Sequence, residues 1–241
     1  MRFILFADGY VGGAIANFLI DNFPKDLSMV VCIEKNNIYK YAKSKNIQVC
    51  DYSEDKKLLE NIIFDLGILA WWPKLIKEPL LSLPKNGYIN THPSLLPYNR
   101  GKNYNFWALV EQAPFGVTLH FIDSGIDTGD VIFQKSINYD WCDTGETLYK
   151  KAQAEMINLF IEKYHLIRSK NYIKKPQDIN SGSFHNSSEL NKICEIGLNE
   201  NYQARHFLNL LRARTFEGHP GCFFVENGNK YEISLTIKKV N

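Results

Sequence analysis

Apolar residues along this chain fall in short unbroken runs separated by segments of helical spacing. RFILFA (Arg2–Ala7) is the first run; DGYVGG forms a turn after it, and AIANFLIDNF repeats its apolar residues with the helical period. LSMVVCI (Leu27–Ile33), IQVC and FDLGILA (Phe64–Ala70) read as further strands. The polar NIYKYAKSKN and the charged EDKKLLENI read as helices between them. Strands that are apolar on both faces and alternate with helices predict a parallel sheet covered on both sides.

The rhythm changes after Pro84. GYINTH, FGVTLHFI and DVIFQKSI (Asp130–Ile137) are predicted strands, with a helix over NYNFWALVEQ. From Thr144 a long amphipathic helix begins, with Thr147 in the place where a capping box usually carries Glu or Gln. KKPQDINSGSFHNSS reads as a linker or extended arm. NENYQARHFLNLLRA is a short helix, and GCFFVENGNKYEISLTI is a hairpin turning at Asn227-Gly228. The expected fold class is α/β: a doubly wound, mostly parallel sheet over residues 1–175, with a small helix-plus-hairpin extension over 176–241.

With 241 residues, 45% of them hydrophobic and 22% charged, the chain can bury a sizeable core. A net charge of +2 offers no general attraction to nucleic acid or to acidic membranes. Cys32, Cys50, Cys142, Cys194 and Cys222 are scattered, form no C-x-x-C pair, and read as reduced thiols without a metal. No secretory leader or membrane span is legible, so a cytoplasmic location is expected.

The first candidate chemistry lies in INTHPSLLPYNRG (Ile89–Gly101). Asn90 and His92 share one face of a strand, because the side-chain period is two, while Thr91 faces the other way. Pro93 and Pro97 stiffen the exit. Downstream, HFIDSGIDTGDVIF carries Asp123, Asp127 and Asp130 with Gly125 and Gly129. Any one of these aspartates alone is ordinary turn chemistry. An amide, an imidazole and a carboxylate meeting at one sheet edge can instead move an acyl group onto an amine. The imidazole takes the amine proton, the amide steadies the oxyanion and the carboxylate orients the imidazole. No serine or cysteine is placed as a nucleophile, which favours direct transfer. The DGYVGG turn, with Gly9 and Tyr10, lacks the full G-x-G-x-x-G order and supports a dinucleotide site only weakly.

NTHPSLLP, GVTLHFID and GIDTGDVI at this separation resemble the folate-dependent formyltransferase family. The resemblance implies a Rossmann-like fold, 10-formyltetrahydrofolate as donor, no metal, and Asn90, His92 and Asp127 as the catalytic residues. It also implies a pterin pocket between WWPKLI and IDSGI, lined by Trp72, Lys74 and Ile76 on one side and Ile122, Asp123, Ser124 and Gly125 on the other. The tryptophans can equally pack against the sheet.

The segment LRARTFEGHPGCFFVENGNKYEI is similar to the C-terminal part of the sugar N-formyltransferases. From Pro176 onward, seven Lys/Arg balance seven Asp/Glu, leaving little to attract tRNA phosphates. The similarity to the sugar N-formyltransferases implies as acceptor the amine of a dTDP-linked amino-dideoxysugar in cell-surface polysaccharide (O-antigen) synthesis. Gly9, Tyr10, Arg100, Lys102, Asn103, Asn105, Arg212, Arg214 and Glu217 are its expected contacts. Arg212 and Arg214 also fit as cations at a helix C-terminus. The alternatives are a UDP-linked amino sugar or ribonucleotide amine as acceptor, water as acceptor in a hydrolase, or a folate- or nucleotide-binding module without turnover. The family resemblance implies a homodimer.

Overall fold

The computed structural model describes residues 1–240, apart from the side chains of Glu60 and Asn61. In chain order the elements are β1 (Phe3–Ala7), α1 (Gly9–Asn22), β2 (Leu27–Cys32), α2 (Asn37–Ser44), β3 (Val49–Asp51), β4 (Leu66–Ala70) and β5 (Tyr88–His92). They continue with β6 (Arg100–Gly101), α3 (Tyr104–Glu111), β7 (Gly116–Phe121), β8 (Val131–Ser136) and α4 (Gly145–Ser169). The chain ends with β9 (Phe184–His185), α5 (Glu189–Ile193), α6 (Ala204–Arg214), β10 (Cys222–Glu226) and β11 (Asn229–Ile233). The main sheet has the order β3-β2-β1-β4-β5-β7-β8. Its first five strands are parallel, and β7 and β8 join antiparallel.

The alternation along each strand sorts side chains between two apolar layers. Phe3, Leu5 and Ala7 of β1 enter the larger core with α1 and α4, while Ile4 and Phe6 enter a smaller one with Met29, Val31, Leu69 and Tyr88. Every β1 residue is thus buried. Helix α1 lies tight on the sheet because residue 12 is glycine. A Cβ there would stand 2.7 Å from the Ala70 carbonyl oxygen.

One expected helix is a 3₁₀ segment instead. Lys56–Asn61 forms this tighter turn, because its apolar residues are a single adjacent pair: Leu59 is buried and Leu58 is 47% exposed. One anchor does not hold a longer amphipathic helix on a sheet. The long helix α4 starts as expected, with Thr144 and Thr147 each bonding the other's backbone N–H. Threonine thus serves where Glu or Gln is usual. The Asn227-Gly228 turn of the β10–β11 hairpin has φ of 49° and 77°, as a two-residue primed turn requires.

The segment read as a linker is bound back onto the first unit. Lys175 pairs with Val131 through N–H to O bonds of 2.8 and 2.9 Å. Further on, β9 pairs in parallel with β6, immediately after the Asn90–His92 strand and its proline turn. Among the described residues no helix is long and apolar enough to cross a membrane.

Candidate active site

In β5, Tyr88 belongs to the smaller apolar layer and Ile89 to the larger. The period of two then carries Asn90 and His92 onto Tyr88's face and Thr91 onto the other. Thr91 is spent on structure. Its hydroxyl donates to the Leu69 carbonyl at 3.1 Å and accepts from the Trp71 N–H at 2.8 Å. In β7 the same alternation sends Val117, Leu119 and Phe121 to the larger core, leaving Thr118 and His120 opposite. Register completes the placement, since Asn90 lies beside His120 and His92 beside Thr118.

The loop between β7 and β8 brings Asp127 over this polar face. Asp127 has φ of +55°, an uncommon left-handed backbone for a residue with a side chain. Its Oδ1 lies 3.4 Å from His92 Nδ1 and 3.7 Å from His120 Nε2. Oδ2 accepts the Gly101 N–H at 3.0 Å. Gln177 holds the loop's backbone, donating through Nε2 to the carbonyls of Asp127 (3.0 Å) and Gly129 (2.6 Å). Asp127 is therefore held at its carboxylate by β6 and at its backbone by the returning segment after α4.

His92 is 5% exposed, and its Nε2 is buried without a hydrogen-bond partner. In the neutral imidazole, with Nδ1 turned to a carboxylate, Nδ1 carries the proton and Nε2 has a free lone pair. Such an unpartnered buried nitrogen costs stability unless a ligand meets it. Asn90 contributes its Nδ2, which lies 3.2 Å from His120 Nε2. Burial, and next the His92 imidazole, push the pKa of His120 down to about 4, against a smaller opposing pull from Asp127. His120 is thus neutral at neutral pH. His92, His120 and Asp127 also place three potential ligand atoms within 4.8 Å of one another, a spacing that a divalent cation accepts.

The turn beyond β5 is pinned by buried polar side chains. Thr118 Oγ1 donates to Ser94 O at 2.7 Å and accepts from Leu96 N and Gln134 Nε2 at 3.2 and 3.0 Å. Around His185, Nε2 faces Glu111 at 2.7 Å, Nδ1 faces Glu189 at 3.0 Å, and the ring stacks on Trp107 with centroids 3.8 Å apart. Glu111 also accepts from Asn99 Nδ2 and Ser183 Oγ, each at 2.9 Å. These bonds fasten β9 to β6.

The other expected site residues are dispersed. Trp72 is buried against Phe6 and Tyr52, its Nε1 unpartnered. Ile76 and Ile122 are half-buried and pack on the same smaller apolar layer, whereas Lys74 is exposed. Asp123 accepts from Gly125 N at 3.0 Å and Thr128 Oγ1 at 2.6 Å, which shapes the loop around Ser124. A pocket of about 510 Å³, lined by Lys85, Phe121, Asp123, Asp130 and Lys174 among others, opens beside this loop; Asn90, His92 and Asp127 are not in its lining.

Gly9 and Tyr10 are exposed at the start of α1. Lys102 is exposed, Asn103 caps α3 with φ of +58°, and Glu217 is exposed. Arg100 donates from Nη2 to the Ile179 carbonyl at 3.2 Å. Asn105 donates to the Gly145 carbonyl at 2.7 Å, which ties α3 to α4.

Arg212 differs from the expected substrate contact. It is 4% exposed, with Nε donating to Asn209 Oδ1 at 2.9 Å, Nη1 donating to the carbonyls of Asp140 and Asp143, and the guanidinium over Trp141. A guanidinium so enclosed is committed to the fold. Its sequence position beside the exposed Arg205 and the half-buried Arg214 gave no sign of which would turn inward.

Sequence reasoning passes over His120, Gly101, Gln177 and Trp71. The signal for His120 is the alternation V-T-L-H-F, in which the polar residues fall on the face shared with Asn90. Trp71 directly follows β4 and has φ of +57°. Its ring meets Tyr104 and Tyr149 edge-on, and Tyr104 in turn flanks His92 at 6.0 Å. Nothing in the local sequence marks that backbone conformation.

The Formyl transferase family profile matches residues 27–163, and the profile described as N-formyltransferase dimerization C-terminal domain matches residues 189–239. The chain belongs to the formyl transferase family. It is 32% identical over 186 residues to the methionyl-tRNA formyltransferase of Thermodesulfovibrio yellowstonii, covering 75% of this chain and 59% of that one. It is 28% identical over 151 residues to the dTDP-4-amino-4,6-dideoxyglucose formyltransferase of Mycobacterium tuberculosis, covering 62% and 64%. The matched stretch is thus about three fifths of each relative's length. A sugar N-formyltransferase from a Shewanella species shares the fold over 100% of this chain and 99% of its own, with a TM-score of 0.83 at 22% identity. The formyltransferase PseJ from Anoxybacillus kamchatkensis, solved with UDP-4,6-dideoxy-4-formamido-L-AltNAc and tetrahydrofolate, is 28% identical. It covers 80% and 89% of the two chains, with a TM-score of 0.58. This formyl transferase thus has neighbours with two kinds of acceptor, tRNA and sugar nucleotides.

Proposed function

We propose that this formyl transferase moves a formyl group from 10-formyltetrahydrofolate to the amine of a nucleotide-linked amino sugar, a dTDP-linked amino-dideoxyhexose being the first candidate. The observation that carries the proposal is the buried, unpartnered His92 Nε2, backed by Asp127 and on the same face of β5 as Asn90.

Bound at the site, the folate supplies an activated formyl group. The residues fit it: Ile76 and Ile122 offer apolar contact on one layer, and Trp72 Nε1 is a buried donor without a partner. His92 Nε2 accepts the proton that the acceptor nitrogen loses as it attacks the formyl carbon. It gives that proton to the donor nitrogen as the bond between that nitrogen and the formyl carbon breaks, so the ring ends the transfer neutral. Asp127 stabilises the resulting imidazolium and keeps Nδ1 protonated. Asn90 Nδ2 donates to the oxygen on which charge develops. Gly9, Tyr10, Lys102, Asn103, Arg214 and Glu217 are the residues proposed to meet the sugar and diphosphate.

The sugar acceptor is favoured over tRNA by the balance of seven basic and seven acidic residues from Pro176 on. The dTDP-sugar and UDP-sugar relatives support a nucleotide sugar. The tail hairpin, with Val225 50% and Tyr231 46% exposed, is the surface proposed to meet a second copy. The test is to incubate purified protein with the donor and a panel of dTDP- and UDP-linked amino sugars, a ribonucleotide amine and methionyl-tRNA. N-formyl sugar is the expected product by mass spectrometry. Product on tRNA or the ribonucleotide alone overturns the sugar assignment, and formate without any formylated acceptor indicates a hydrolase.

A further inference from the structure

His120 has no part in the proton transfer, yet it is the most enclosed titratable group beside it, with no exposed surface. Both ring nitrogens are engaged. Nδ1 lies 2.8 Å from the Phe121 carbonyl oxygen, and Nε2 lies 3.2 Å from Asn90 Nδ2. A carbonyl only accepts, so Nδ1 must carry the proton. In the neutral ring Nε2 is then a bare acceptor, and an acceptor requires the NH₂ end of Asn90, not its oxygen. The chain of bonds from Phe121 O through His120 to Asn90 therefore has one direction.

That direction matters because a carboxamide is nearly symmetric in shape and opposite in function at its two ends. With one N–H given to His120, the second N–H of the same nitrogen remains to meet a negative oxygen. Turned over, the amide would present its carbonyl, which repels that oxygen. We infer that His120 is a positioning residue that fixes the orientation of the Asn90 carboxamide, so that its NH₂ group faces the reacting oxygen. The inference rests on the reading of Asn90 as the oxyanion donor. Protonation of His120 would reverse the polarity of Nε2, and its burial beside His92 opposes that.

The experiment compares His120→Met, which fills the space without a comparable acceptor, with His120→Gln, whose Oε1 can accept from Asn90. Both are made in the wild-type and Asn90→Ala backgrounds, with thermal melts to confirm folding. His120→Met is expected to lower kcat about 10- to 100-fold with KM for both substrates within about threefold, inside the cost of losing an oxyanion donor altogether. His120→Gln should recover most of that loss. In the Asn90→Ala background His120→Met should cost less than about threefold, because the group it orients is gone. An unchanged kcat in His120→Met overturns the inference, as does an undiminished loss in the Asn90→Ala background.

Should His120→Met not fold, the ring tautomer of the wild-type protein decides the matter. Long-range ¹H–¹⁵N correlation is expected to show Nδ1–H and a bare Nε2, and an Nε2–H tautomer refutes the arrangement. If Asn90→Ala alone leaves kcat unchanged, the functional reading of Asn90 fails first, which separates the two results.

Discussion

His92 Nδ1 stands 3.4 Å from Asp127 Oδ1, although His92 ends β5 and Asp127 lies in the loop between β7 and β8. β5 delivers the imidazole on a rigid, buried strand. A left-handed turn, held from both sides, delivers the carboxylate. His92→Ala and Asp127→Asn should each reduce kcat by about 10² to 10⁴, the range for losing a general base or its orienting partner. Steady-state assays on each variant, with melts close to wild type, check this. An unaffected rate would remove His92 from the proton path.

Gly101 couples the β6–β9 pairing to the same carboxylate. Its φ is +90°, and a Cβ would stand 2.2 Å from the His185 carbonyl oxygen. Gly101→Ala should therefore push β6 and β9 apart and loosen the bond to Asp127. The expected outcome is a destabilisation of about 1–3 kcal/mol in urea titration. It should be joined by a fall in kcat of about tenfold or more.

Arg212→Met tests the buried guanidinium. Leaving the Asp140 and Asp143 carbonyls without their donor should destabilise the protein by about 1–3 kcal/mol. KM for the nucleotide sugar should not change in the folded variant. A selective rise in KM would return Arg212 to the substrate.

Asp26 predicts an acid dependence of stability. Burial acts to raise its pKa, but bonds from Arg168 and Tyr164 outweigh it and hold the carboxyl below its ordinary value of 3.8. The folded pKa lies below the unfolded one, so the contribution is complete above pH 4 or so. It fades as pH falls through the folded value. Asp26→Asn should be less stable than wild type at pH 7, with the gap closing below pH 4. A gap independent of pH would show that the ionised form contributes nothing.

Much of this protein is determined locally. Runs such as RFILFA and FDLGILA have no polar face, so a sheet buried on both sides was implicit in them. The period of two put Asn90 and His92 on one face before any fold was known, and Asn227-Gly228 specified its own turn. The 3₁₀ turn at Lys56–Asn61 shows the limit of such reading, since a charged segment with adjacent leucines depends on what it packs against.

Tertiary structure decided which distant groups meet. The antiparallel register of β5 and β7 set His120 beside Asn90, and the positive φ of Asp127 aimed its carboxylate at His92. Gly101 and Gln177, far apart in the chain, both came to hold Asp127. Side-chain type and spacing report the face on which a residue lies. The partner across the sheet depends on register, loop path and burial, which are settled by the energy of the whole packed chain.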